Sequence, residues 1–153
     1  MLEIDAQRRF GGIRQLYGQP ALQQFMRAHV CVIGIGGVGA WCVEALVRSG
    51  IGQLTLIDMD HVAESNINRQ LPALSDTLGM SKISVMQQRC EQINPHCRVN
   101  PVDDFIHPDN FHTYLPATLD FVIDCIDDFR LKAGLIDYCK HQHLPIITLG
   151  GAG

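Results

Sequence analysis

Three glycines at regular spacing, Gly34, Gly36 and Gly39, form a G-x-G-x-x-G pattern in the first third of the chain. Glycines at this spacing allow a tight turn in which backbone N–H groups approach phosphate oxygens. Gly37 adds a fourth small residue to the same turn. A helix that begins here adds about half a positive charge at its N-terminus. We therefore expect this segment to bind the phosphates of a nucleotide.

A second group of polar residues follows the next predicted strand, Gln53–Ile57. Asp58 stands at the carboxyl end of that strand, where it is placed to accept hydrogen bonds from ribose hydroxyls. A polar connection then runs from 59 to 80, which is longer than the link that a dinucleotide-binding fold normally uses. It contains the candidate binding residues Asp60, Asn66, Asn68, Arg69 and Gln70.

Lys82 and Asp127 complete the set of candidates. Lys82 begins a predicted helix, where a cation opposes the helix dipole unless an anion lies nearby. Asp127 follows a predicted strand, and its carboxylate either caps the next helix or binds Mg²⁺. An alternative role for Arg69 is a surface ion pair with Glu64. Because ligands bind outside the carboxyl ends of parallel strands, we expect Arg69, Lys82 and Asp127 to surround a triphosphate.

The elements that must position these residues alternate between strand and helix. The predicted strands are Val30–Ile35, Gln53–Ile57, Cys97–Val102, Phe121–Ile126 and Pro145–Leu149. Helices are predicted before the first strand and at about Val38–Ser49, Ser81–Ile93, Pro108–Tyr114 and Phe129–His141. This order predicts an α/β fold with a Rossmann-like, doubly wound, mainly parallel sheet and N-terminal helices.

The predicted elements divide the chain into an N-terminal helical arm, 1–29, and a Rossmann-like nucleotide-binding domain, 30–153. We expect the packing residues of the arm to be Phe10, Leu16, Leu22, Phe25 and Met26. In the helix after the glycine turn, we expect an apolar face made by Val38, Cys42, Ala45 and Leu46. Since the chain ends after a strand that we predict to be central, we expect it to lack the C-terminal part of a longer enzyme.

The composition excludes several classes of protein. The chain has 153 residues, 46% of them hydrophobic, and no apolar run reaches the length of a membrane span, which predicts one soluble domain. The formal net charge of −4 gives no basic footprint for nucleic acid. The six cysteines form no C-x-x-C pair, which argues against zinc and predicts a reducing, cytoplasmic location.

The segments GIGGVG, LIDMD, NINRQ, Lys82 and DCIDD, in this order, resemble the ThiF/MoeB/HesA family, bacterial relatives of ubiquitin-activating enzymes. The resemblance implies an enzyme that uses ATP and Mg²⁺ to adenylate a carboxylate. It implies that Arg69 and Lys82 are catalytic, that Asn68 lies on the phosphate side and that Asp127 binds Mg²⁺. It also implies a homodimer, in which Arg9 or Arg14 reaches the partner's ATP.

Further segments narrow the resemblance within the family. The RFGG…LYG start, NRQ…LGMSK, INP, VDDF and the terminal GGAG are most similar to members that cyclise threonylcarbamoyladenosine in tRNA with loss of water. This implies tRNA as a partner, bound by a C-terminal region or a dimer groove. One alternative is adenylation of the C-terminal glycine of a ubiquitin-like sulfur-carrier protein. The others are an NAD-binding oxidoreductase and a fragment that binds a nucleotide without catalysis.

Overall fold

The computed structural model describes residues 5–150, so the sequence expectations for 1–4 and for the end of the GGAG segment, 151–153, lie outside the described residues. The helices in that range are α1 (Ala6–Arg9), α2 (Gly11–Tyr17), α3 (Gln19–Arg27), α4 (Gly39–Arg48), α5 (Lys82–Ile93), α6 (Phe111–Tyr114) and α7 (Phe129–His141). Short 3₁₀ turns span Glu64–Asn66, Ser75–Thr77 and Pro108–Asn110. None of the described helices has both the length and the apolar character that a bilayer span requires.

Five parallel strands form one sheet in the order β3-β2-β1-β4-β5. The strands are β1 (His29–Ile33), β2 (Gln53–Ile57), β3 (Arg98–Val102), β4 (Phe121–Asp124) and β5 (Ile146–Thr148). The direction in which the chain adds strands reverses beside β1, which confirms the predicted doubly wound α/β fold. β5 lies at the edge of the sheet formed by residues 5–150. Its central position in a longer chain stays a prediction.

Two helical layers cover the sheet because the side chains of its strands alternate between its faces. On β1, Val30 and Val32 pack under α4 and α5, while Cys31 and Ile33 pack under α6 and α7. Several predicted strands end earlier than expected: β1 stops at Ile33, and β4 stops at Asp124. The residues that follow these shortened strands are therefore free to form the turns around the site.

The buried face of α4 differs from the predicted one. Ala40, Val43 and Val47 are fully buried, whereas Ala45 is exposed and Cys42 and Leu46 are half-buried. A Cβ on Gly39, the first residue of α4, would lie 1.7 Å from the carbonyl oxygen of Gly34. This close packing fixes the rotation of the helix and turns Ala40 toward the sheet, which the apolar pattern alone did not reveal.

The N-terminal helices pack against the connection between α4 and β2. Phe10 and Leu22 are buried, and both lie against Gly50. The N–H of Gly52 donates to the carbonyl of Phe25 at 3.0 Å. Leu16 and Met26, which were expected to pack, are instead exposed. The arm is thus tied down by two buried side chains and by backbone hydrogen bonds.

We predict that Gly52→Ala destabilises the protein while Gly12→Ala does not. A Cβ at Gly52 would lie 1.9 Å from the carbonyl oxygen of Met26, whereas a Cβ at Gly12, within α2, has no neighbour within 4 Å. Overpacking against backbone costs roughly 1–3 kcal/mol. In a helix, Ala is favoured over Gly by up to about 1 kcal/mol. Urea denaturation of the two variants measures both effects, and equal midpoints would contradict the close approach of α3 to Gly52.

Candidate functional site

A cavity of ≈ 270 Å³ opens at the carboxyl ends of β1, β2 and β4, beside the point where the strand order reverses. Ligands of open α/β sheets bind at such reversal points. Its polar lining brings together most of the residues proposed from the sequence: Gly34, Gly36, Gly37, Asp58, Asp60, Arg69, Gln70, Lys82 and Asp127. The expected convergence of Arg69, Lys82 and Asp127 on the glycine turn is therefore present.

The glycine turn brings backbone close to the cavity. Gly34 has φ +84°, a conformation that L side chains rarely adopt, and a Cβ there would lie 3.1 Å from the carbonyl oxygen of Cys125. Gly36 and Gly37 line the cavity. Gly39 does not line the cavity, contrary to its proposed role in nucleotide contact, because it packs against Gly34.

Asp58 is held rigidly at the end of β2. One of its oxygens accepts from the N–H of Ile35 at 2.6 Å, and the other accepts from the N–H of Asp60 at 2.7 Å. Burial raises the pKa of this carboxyl above its ordinary value, although the two backbone hydrogen bonds oppose the shift. A carboxylate oxygen can accept more than one hydrogen bond, so each oxygen of Asp58 keeps acceptor capacity for a hydroxyl group.

Lys82 is buried at the start of α5, with 5% of its surface exposed. Its Nζ lies 2.9 Å from Oδ2 of Asp60, and its backbone N–H donates to the carbonyl of Asp60. Lys82 is therefore not a solvated surface residue. Asp60 already supplies the negative charge that a lysine at a helix N-terminus needs, so the helix dipole alone does not require a bound phosphate.

Arg69 is exposed at the mouth of the cavity. Its Nη1 donates to the carbonyl of Ser65 at 2.9 Å and to Oδ1 of Asn68 at 2.8 Å. Within residues 5–150 its guanidinium makes no ion pair, so the alternative pairing with Glu64 is not observed. Trp41 is also exposed and donates to the carbonyl of Arg69 at 3.3 Å. These contacts orient the Arg69 backbone and side chain and leave most of its donors available.

The three amides of the connection serve different purposes. Asn66 accepts from the N–H of Ala63 and thereby closes a 3₁₀ turn, while Asn68 holds Arg69. Neither lines the cavity, so their proposed direct contact with the nucleotide is not supported by the geometry. Gln70 is buried and lines the cavity, and its Oε1 has no hydrogen-bond partner among the described residues. A bound ligand that donates a hydrogen bond would satisfy it.

The sequence left two roles open for Asp127, to cap α7 or to bind Mg²⁺, and the structure gives the first of them to Asp128. Asp128 is the N-cap of α7, and its Oδ1 accepts from the N–H groups of Arg130 and Leu131. The capping interpretation of Asp127 is therefore wrong. Asp127 is exposed and lines the cavity, and within residues 5–150 its carboxylate makes no hydrogen bond or ion pair. It is available to a ligand or a metal ion.

A buried ion pair supports the strand end beneath Asp127. Asp124 is fully buried, and its Oδ2 lies 2.6 Å from Nζ of Lys132, which also donates to the carbonyl of Leu149. Asp124 thus has the charged partner that a carboxylate buried in an apolar strand requires. Burial raises the pKa of the neighbouring Cys125 thiol to about 12, so this cavity-lining cysteine stays protonated and is a poor nucleophile.

Sequence patterns did not reveal an apolar wall of the cavity. Met59, Phe105, Ile106 and Leu131 line it, and Met59 and Phe105 are about half exposed. Such a wall suits the flat face of a nucleobase. Met59 directly follows Asp58, and Phe105 lies three residues after β3. The rule that identified Asp58, proximity to the carboxyl end of a strand, could have identified them too.

The two N-terminal arginines lie away from the cavity. Nη1 of Arg9 donates to the carbonyl of Ile93, at the far end of α5, and Arg14 is exposed on α2. Neither lines this cavity. The proposed reach of one of them to a partner's ATP stays a prediction.

Comparison with known proteins places this cavity in a family. The sequence profile of the ThiF family matches residues 10–153. The tRNA threonylcarbamoyladenosine dehydratase of Haemophilus influenzae is 57% identical over 154 residues, which cover 100% of this chain and 59% of that protein. The molybdopterin-synthase adenylyltransferase of Salmonella typhimurium is 35% identical over 131 residues, which cover 86% of this chain and 51% of that protein.

Solved structures give the same result. A crystal structure of the Escherichia coli tRNA N6-threonylcarbamoyladenosine dehydratase in complex with ATP superposes with a TM-score of 0.95 at 54% identity. The match covers 100% of this chain and 63% of that one, so the chain spans about three fifths of the dehydratases that it matches. Since the family match runs through every element that lines the cavity, this chain belongs to the ThiF family.

Proposed function

We propose that the protein uses ATP and Mg²⁺ to adenylate a carboxylate, and that this carboxylate belongs to threonylcarbamoyladenosine in tRNA. The activated group then closes a ring within the same nucleoside, so that water is lost overall. The names of the similar Haemophilus influenzae and Escherichia coli proteins support this substrate. ATP is a substrate of this reaction and not a resident cofactor. We further propose that the enzyme acts as a cytoplasmic homodimer, which rests on the family resemblance.

The observation that carries the proposal is the meeting of two cations and a free carboxylate at the glycine turn. Arg69 and Lys82 line the same ≈ 270 Å³ cavity as Gly36, Gly37 and Asp127. A triphosphate needs cations for its oxygens and a carboxylate for its metal ion. A nicotinamide cofactor has no use for this combination. The geometry therefore supports a triphosphate over the NAD hypothesis.

The chemistry solves a leaving-group problem. A carboxylate does not lose oxide, so one of its oxygens must first become part of a better leaving group. The substrate carboxylate attacks the α-phosphorus of ATP, and pyrophosphate leaves. An atom of the same nucleoside then attacks the acyl carbon and gives up its proton, and AMP leaves with the former carboxylate oxygen. Arg69 and Lys82 stabilise the negative charge that develops on the phosphates during the first step.

The residues present fit a magnesium ion. Mg²⁺ is usually held by one or two carboxylates together with substrate phosphates and waters. Within residues 5–150, the Asp127 carboxylate at the cavity makes no hydrogen bond or ion pair, whereas each oxygen of Asp58 already accepts from a backbone N–H and Oδ2 of Asp60 is paired with Lys82. We infer that Asp127 holds the ion beside the phosphates. When bound, Mg²⁺ neutralises phosphate charge, and the chain itself contributes orientation and the two cations.

The first test uses the full-length protein with ATP, Mg²⁺ and tRNA from a strain that lacks the enzyme. We expect mass spectrometry of the digested nucleosides to show that the modified adenosine loses the mass of one water. Heat-inactivated protein is the control. Pyrophosphate exchange that requires a ubiquitin-like carrier protein, with no change in the tRNA, would instead establish the carrier-protein alternative.

The second test separates the two cations from other lysines and arginines. We expect Lys82→Met and Arg69→Ala to slow pyrophosphate release by roughly 10²–10³-fold, the usual cost of removing a group that stabilises transition-state charge. Methionine keeps the buried volume at position 82, and Asp60, whose side chain is 67% exposed, is readily solvated. Lys140→Met, on the exposed end of α7, is the control and should match the wild-type rate.

The third test uses the two adjacent acids. We expect Asp127→Asn to raise the Mg²⁺ concentration needed for half-maximal activity at least tenfold and to leave stability unchanged. Asp128→Ala should cost about 1 kcal/mol of stability because the N-cap is removed, and it should leave the Mg²⁺ requirement unchanged. Activity titrations with Mg²⁺ and urea denaturation measure the two effects. The reverse pattern would show that Asp127 and Asp128 have been assigned the wrong roles.

A further inference from the structure

A second groove lies away from the nucleotide cavity, where the C-terminal parts of α4 and α5 meet α1. Three arginines line it, together with one amide and two apolar residues: Arg9, Arg48, Arg89, Gln92, Phe10 and Ile93. Its lining in the described residues contains no carboxylate. For a chain with a formal net charge of −4, this is a marked local concentration of positive charge.

A buried glutamate fixes two of these arginines in place. Glu44, with 8% of its surface exposed, accepts from Nε of Arg48 at 2.7 Å. It also accepts from Nε and Nη2 of Arg89 at 2.6 and 2.9 Å. The hydrogen bonds from Arg89 lower the pKa of the Glu44 carboxyl below its ordinary value. Burial opposes this shift, and Arg48 adds to it, so the glutamate stays ionised. The two guanidiniums are therefore ordered before any ligand arrives.

The third arginine is fixed from the other side of the groove. Nη1 of Arg9 donates to the carbonyl of Ile93 at 2.7 Å. The three arginines and Glu44 together carry two net positive charges. Within residues 5–150, both Nη atoms of Arg48, Nη1 of Arg89, and Nε and Nη2 of Arg9 make no hydrogen bond. Ordered guanidiniums with free N–H groups match the geometry of phosphate oxygens.

The position of the groove fits a substrate that also reaches the cavity. Lys82 lines the cavity at the start of α5, and Arg89 lies seven residues farther along the same helix, which is about 10 Å at 1.5 Å per residue. Arg48 lies nine residues after Gly39 in α4, a rise of about 14 Å along the helix axis. A helical nucleic-acid strand rises about 3.4 Å per nucleotide, so this separation spans three or four nucleotides.

We propose that the groove of Arg9, Arg48 and Arg89 binds the phosphodiester backbone of the RNA whose modified nucleoside occupies the cavity. This inference rests on the proposed function. Phosphate contacts of this kind fix the register and orientation of a nucleic acid without reading its sequence. The groove would thus place the substrate carboxylate at the α-phosphorus. It also supplies a basic surface within this chain, which the net charge had led us to seek elsewhere.

The test compares two double variants of the full-length protein. Arg9→Gln with Arg48→Gln removes two charges from the groove and leaves both Arg89 hydrogen bonds to Glu44 intact. Arg98→Gln with Lys140→Gln removes two exposed charges elsewhere and is the matched control. Binding of the tRNA is measured by fluorescence anisotropy over a range of salt concentrations, and kinetics and molecular mass are measured in parallel.

We expect the groove variant to reduce the slope of log K against log salt by about 2, since each arginine removed leaves one phosphate without its cation. KM for tRNA should rise on the order of tenfold at physiological salt. Arg9→Lys with Arg48→Lys should restore most of the slope because the charges return. The control variant should behave as the wild type.

Three results would overturn the inference. The groove variant could bind tRNA with the wild-type slope, or the slope of the control could fall as far as that of the groove variant. A change in the molecular mass of the groove variant would identify the groove as an interface between copies of the chain. If the wild-type protein neither binds nor dehydrates tRNA, the proposed function fails instead, and that outcome is distinct from the first three.

Discussion

The close approach of Gly34 to Gly39 and to the end of β4 is the constraint on which the site depends. A side chain at Gly39 would overlap the carbonyl of Gly34, and a side chain at Gly34 would press against the carbonyl of Cys125. This packing sets the rotation of α4 and positions Gly36 and Gly37 with their backbone toward the cavity. It also brings the end of β4, and hence Asp127, beside the turn. Every other group of the site is positioned relative to this turn.

The two ion pairs near the glycine turn differ in how exposed their members are. Asp124 is fully buried and its ion-pair partner Lys132 is partly buried, and neither residue lines the cavity. The pair holds the end of β4 to α7, and Lys132 also binds the carbonyl of Leu149 after β5. Lys82 and Asp60 form a pair with one buried and one exposed member, at the cavity itself. The Asp124–Lys132 pair is therefore structural. In the Lys82–Asp60 pair, water can solvate the exposed Asp60, so a bound anion can replace Asp60 as the partner of Lys82.

Local sequence patterns predicted most elements because the signals were strong and local. The bounds of β2 and α7 agree with those predicted, since β-branched residues and flanking polar residues mark them. The prediction failed where a single backbone contact decides the outcome. The buried face of α4 depends on the packing of Gly34 against Gly39. The cap of α7 is Asp128 and not the adjacent Asp127, a difference of one residue that the sequence does not show. Asn66 and Asn68 were assigned to the ligand because sequence cannot show that a loop uses its amides for its own turns.

The Lys82–Asp60 pair has a consequence for which anions the cavity favours. Any anion that binds the Lys82 ammonium weakens the contact between Lys82 and Asp60. Part of the attraction between Lys82 and the anion therefore only replaces the attraction between Lys82 and Asp60. A small monovalent anion gains little from this exchange. A polyvalent anion that arrives with its own cation loses less, because that cation can screen the carboxylate left behind. The Lys82–Asp60 ion pair therefore disfavours the binding of small monovalent anions relative to polyvalent anions that carry a cation, whatever the shape of the ligand.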